Sequence, residues 1–162
     1  MNLEEFWKII EVGSKSQEPE AILEVELNKL DPQEIQSFQE HFDRLFDSAY
    51  KWNLWGAAYI IGGGCSDDAF MDFRYGLISL GKPIFENALK DPDSLSEVGT
   101  DTEIENESYG YVAQEVYESK TGKEIPRIER SPEADDSMGE EWDFDDEEEN
   151  KKRLPKLMEI YW

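Results

Sequence analysis

Residues 1–95 are cut at short intervals by signals that stop and restart helices, and that punctuation leaves little else for them to form. The sharpest signal is Gly62-Gly63-Gly64-Cys65-Ser66-Asp67-Asp68. Gly62 suits the C-terminal cap of an apolar helix, Ser66 is a natural N-cap, and Asp67 and Asp68 suit the positive end of the next helix. Upstream, Asp31-Pro32-Gln33-Glu34 joins a capping aspartate, a proline in the first turn and a glutamate three residues after the cap. From there Ile35, Phe38, Phe42, Leu45, Phe46 and Ala49 keep helical spacing for about four turns. The same signals predict helices over 2–15, from Pro19 to Leu30, over 52–61 and over 67–80. A short helix follows Pro83 and is broken by Asp91-Pro92-Asp93. Before residue 95 nothing alternates as a strand does.

The rest is less regular. Residues 96–145 read as an acidic, partly irregular stretch, with a helix over 108–121 ended by Gly122 and an extended connection over 123–141 containing Pro126, Pro132 and Gly139. The run Asp143-Phe144-Asp145-Asp146-Glu147-Glu148-Glu149 has the composition of a tail. Trp142 and Phe144 are interleaved with it, however, and Leu154, Leu157, Met158, Ile160, Tyr161 and Trp162 follow. Residues 146–162 are therefore expected to pack back on the helical body of residues 2–95, with Pro155 ending or kinking their helix. The expected fold class is mainly α: one domain over residues 1–162, an irregular bundle of about six to eight helices with a long acidic connection and a docked C-terminal segment.

Charge narrows the function. The chain of 162 residues carries a net charge of −23. Residues 1–90 hold 16 acidic and 8 basic side chains, and residues 91–162 hold 23 and 8. That field opposes nucleic acid and anionic lipid and draws a basic partner towards the C-terminal half; the bland alternative is that acidity serves solubility. No apolar run reaches the roughly 20 residues that span a bilayer. A single cysteine excludes an internal disulfide and a multi-cysteine metal site, which fits a reduced, cytoplasmic protein.

The glycine turn invites three chemistries, and each meets an objection. Phosphate binding lacks a cation in the turn, and Asp67 and Asp68 would repel the anion. A nucleophilic Cys65 needs a base, and the one histidine, His41, lies on the flank of a different helix. A metal site from Asp67, Asp68 and Asp72 lacks a histidine and the alternating acids of a calcium loop. Arg74 borders an apolar face, so its burial calls for a carboxylate, and Asp67 is the expected clamp. Trp7, Trp52 and Trp55 read as core or groove aromatics; Trp142 and Trp162 lie where a partner could use them as anchors, although core is the better reading for each.

Phe6-Trp7, Leu54-Trp55-Gly56-Ala57-Ala58-Tyr59, Gly63-Gly64-Cys65-Ser66-Asp67-Asp68-Ala69-Phe70 and Phe73-Arg74, then Leu77-Ile78-Ser79, resemble a bacterial family known as domain of unknown function 4240. Asp91-Pro92-Asp93-Ser94-Leu95 and Arg153-Leu154-Pro155-Lys156-Leu157 are similar to it as well. The resemblance implies a soluble, single-domain, mainly helical protein and carries no activity with it. The expected function is a non-enzymatic acidic protein that binds a basic protein, in one form an immunity protein neutralising a co-encoded toxin, with Trp142, Asp143, Phe144, Asp145, Asp146 and Glu147 as contact residues. No cofactor or metal is expected. The alternatives are an enzyme or small-ligand- or metal-binding protein with its site at the Gly62–Asp68 turn and Arg74, and a regulatory adaptor.

Overall fold

Asn2 and Asp31 both close capping boxes. Their side chains accept the main-chain N–H groups of Glu5 (2.8 Å) and Glu34 (2.9 Å), and those glutamates return the bond. They start α1 (Leu3–Gly13) and α3 (Pro32–Ser48), between which lies α2 (Pro19–Asn28) with Pro19 in its first turn. The chain continues through α4 (Trp52–Gly62), α5 (Asp67–Ser79) and α6 (Lys82–Lys90), then two short 3-10 helices, Pro92–Glu97 and Ser108–Tyr111, and α7 (Val112–Thr121). The computed structural model describes residues 1–127 and 138–162. The part of the expected 123–141 connection that holds Pro132 lies outside the described residues.

The apolar stripes of α1, α3, α5 and α6 meet in a core rich in phenylalanine. Phe6, Phe38, Phe42, Phe70, Phe73 and Phe85 are all fully buried, each removal from water being worth about 1.5–3 kcal/mol. One glycine is required by packing. Ile104 is buried where residues 102–106 cross α5, and its carbonyl oxygen lies where a Cβ on Gly76 would stand. The Asn106 N–H donates to the Asp72 carbonyl at 2.9 Å and holds the crossing down.

The C-terminal segment docks as expected, but by a route the sequence does not announce. Asp146 caps α8 (Glu147–Arg153), accepting from the N–H groups of Glu148 and Glu149 at 3.1 Å. Pro155 then breaks the helix, and α9 (Pro155–Tyr161) begins with no capping side chain of its own. The cap comes from the buried Asp93, whose carboxylate accepts from Lys156 N–H (3.1 Å) and Leu157 N–H (2.9 Å). This split corrects the expected count of six to eight: the described residues form nine α-helices and two 3-10 helices, in one helical domain without a strand. No described helix is long and apolar enough to cross a membrane.

Candidate functional site

At the glycine turn the structure keeps the caps and dissolves the site. Ser66 Oγ accepts the Ala69 N–H at 3.2 Å, as its sequence position implies. Gly62 is the last helical residue rather than the cap; Gly63, with φ of 68°, takes the left-handed position, which a side chain would strain. Trp55 Nε1 donates to the Cys65 carbonyl at 2.9 Å and ties the turn to α4. Cys65 is half-buried, and burial, reinforced by Glu105, pushes its thiol up to about 11. His41 sits elsewhere, its Nε2 2.9 Å from the Met1 carbonyl oxygen and its ring against Phe6. Among the described residues no group of three or more His, Cys, Asp and Glu side chains is placed to hold a metal.

The expected clamp between Asp67 and Arg74 does not form. Asp67 and Asp68 are exposed in the first turn of α5, whereas Arg74 points into the protein with 4% of its surface exposed. Its guanidinium carbon lies 3.8 Å from the Phe46 ring centre, 4.6 Å from that of Tyr50 and 4.9 Å from that of Phe70, and Nη1 donates to the Phe46 carbonyl at 3.1 Å. Ring faces and a carbonyl dipole take the place expected of Asp67, since both stabilise a planar cation. Burial still dominates and lowers its pKa to about 10, opposed by Tyr50, Tyr75, Asp47 and, last, Asp67. Asp67, Asp68 and Arg74 therefore face different surroundings and converge on no common ligand.

The contact residues expected at the C-terminal end divide in two. Trp142 is buried: its ring fills the space beside Gly56, where a Cβ would overlap it, and its Nε1 donates to Asn150 Oδ1 at 2.8 Å. Arg153 lies 4.5 Å from the centre of its ring. Trp142 thus serves the fold, as a buried base under its neighbours. Phe144 is half-exposed and sits at the centre of a ring cluster, 5.0 Å from Trp142, 5.5 Å from Tyr59, 6.2 Å from Trp52 and 6.4 Å from Trp55. Trp52 and Trp55 stack at 5.4 Å with an interplanar angle of 9°. Asp143, Asp145, Asp146 and Glu147 are exposed beside these rings. Tyr59 donates its hydroxyl proton to Asp145 Oδ1 at 2.5 Å, and that bond raises the Tyr59 pKa.

A second acidic locus, which sequence reading missed, lies on the 94–106 segment. Burial, then Glu107 and Asp68, hold the Asp72 carboxyl above its ordinary range, and burial, then Asp72 and Glu103, do the same for Glu105. These acids are spread over residues 68–107, and only the crossing at Gly76 brings them together; no local spacing signals it.

The family model described as a protein of unknown function, DUF4240, matches residues 1–119. No curated protein and no solved structure matches the chain. The match takes in the helical body with Trp52, Trp55, Tyr59 and Arg74, and the crossing segment, and stops before Trp142, Phe144 and Arg153–Leu157. Spanning most of the 162 residues, it shows that the chain belongs to the DUF4240 family.

Proposed function

We propose that the chain is a non-enzymatic binding module for a basic protein, with the Phe144 ring cluster and its carboxylates as the contact face. One observation carries the reading: half-exposed Trp52, Trp55, Tyr59 and Phe144 form a continuous ring surface beside exposed Asp143, Asp145, Asp146 and Glu147. Rings are the commonest binding anchors, and an arginine or lysine that lies over a ring while reaching a carboxylate gains on both counts. The net charge of −23 adds long-range steering towards a cationic partner and away from nucleic acid or anionic lipid. The lone cysteine suits a reducing compartment, the cytoplasm. An immunity protein that neutralises a co-encoded toxin is the most concrete form of this reading.

The test is affinity capture of the partner from source cells, repeated with Asp143→Asn/Asp145→Asn/Asp146→Asn and with Trp52→Ala. The captured protein should be basic and both variants should lose it. Undiminished capture by both would show the reading to be wrong. For the immunity form, co-expression should restore growth to cells carrying the toxin encoded beside it.

A further inference from the structure

A groove of about 910 Å³ opens between the turn joining α1 to α2, the α5–α6 junction and the 94–106 segment. Half-exposed Leu80, Ile84 and Val98 give it an apolar floor. Its rim carries exposed Glu97, Asp101, Glu103 and Glu105 against a single cation, Lys15. Among the described residues none of these four carboxylates is in an ion pair. The rim cannot simply spread to relieve its repulsion, because Gly76 and the Asn106–Asp72 bond hold residues 104–106 against α5.

We propose that this groove receives an extended lysine- or arginine-bearing segment of a basic protein, with its small apolar side chains on Leu80, Ile84 and Val98 and its cations on the rim. The occupant follows from charge and shape together. Anionic and neutral ligands would leave the carboxylates uncompensated, while a bare cation would leave the apolar floor wet. A chain that alternates cations with apolar side chains satisfies both, and extended residues present alternate side chains to opposite faces. The volume lies near the upper end of the roughly 300–1,000 Å³ of small-molecule sites, enough for several residues. The inference rests on the reading of the chain as a receptor for a basic protein and adds a second contact to the ring face.

The probe is a fluorescent heptapeptide of alternating lysine and valine, measured by anisotropy against the full chain. Two variants each remove three charges: Asp101→Asn/Glu103→Gln/Glu105→Gln in the groove and, away from both proposed contacts, Glu115→Gln/Glu118→Gln/Glu124→Gln, all exposed and outside the groove lining. The groove variant should weaken binding about 10-fold and the control variant less than about 2-fold. Equal loss in both would mean that the peptide reads net charge alone and would overturn the inference. So would displacement of the peptide by spermidine at equal concentration, which would mark a polyamine site, or no binding by the wild-type chain. If the peptide result fails while partner capture still depends on the ring face, the groove inference falls and the proposed function stands. If neither Asp143→Asn/Asp145→Asn/Asp146→Asn nor Trp52→Ala affects capture, the proposed function falls with it.

Discussion

Replacing Gly76 with alanine tests how the crossing segment is held. A Cβ at this position would overlap the Ile104 carbonyl oxygen, which is backbone and cannot rotate away. Residues 102–106 must then lift off α5. That movement exposes Ile104, now 6% exposed, at a cost of about 1.5–3 kcal/mol, and loses the Asn106–Asp72 bond at about 1 kcal/mol. Alanine regains about 1 kcal/mol in helix propensity, so the net loss is about 1.5–3 kcal/mol. With a urea slope of about 1–3 kcal/mol/M, the unfolding midpoint should fall by about 0.5–3 M. Gly62→Ala is the control: the residue is helical, and nothing lies within 4 Å of a Cβ there. It should be neutral or stabilising by up to about 1 kcal/mol. If Gly76→Ala unfolds within about 0.5 kcal/mol of wild type, the crossing is not locked as described.

Three further outcomes follow from the same geometry. Asp93→Ala should cost about 2 kcal/mol and speed amide exchange in residues 155–161, because α9 loses the carboxylate that caps it. Asp72 and Glu105 have folded pKa values above their unfolded ones, so their protonated forms favour the fold at low pH and that contribution is lost as pH rises through the folded values. Asp72→Asn and Glu105→Gln should therefore raise the urea midpoint at about pH 7, by an amount within about 0.5 kcal/mol, and give no gain at about pH 3. Cys65, with its thiol pushed up from 9.0 to about 11, should alkylate about 100-fold more slowly at about pH 8 than an unperturbed thiol, as followed by intact mass.

The helical body was legible because its signals are local. Asn2 with Glu5, Asp31 with Glu34, and Ser66 are caps that act within three residues, and they appear where the sequence puts them. Gly62 against Gly63 is a one-residue slip of the kind that neighbouring glycines permit. The failures are all long-range. Asp93 reads as part of a local Asp-Pro-Asp break, and nothing near it says that it caps a helix 63 residues away; the capless start of α9 at Pro155 is the only hint. Arg74 was expected to need a carboxylate, but Phe46 and Tyr50 from another part of the chain supply ring faces instead. Of the C-terminal anchors, Trp142 is buried while Phe144 remains partly exposed, a division made by the docking of residues 142–162 and not by composition.

Hydrogen exchange on the chain with its captured partner bound tests the binding role most directly. Protection should appear in residues 52–59 and 142–147, the partner should be basic, and raising the salt should release it. An acidic or neutral partner, or protection confined to surfaces away from both the ring face and the groove, would contradict the proposed function.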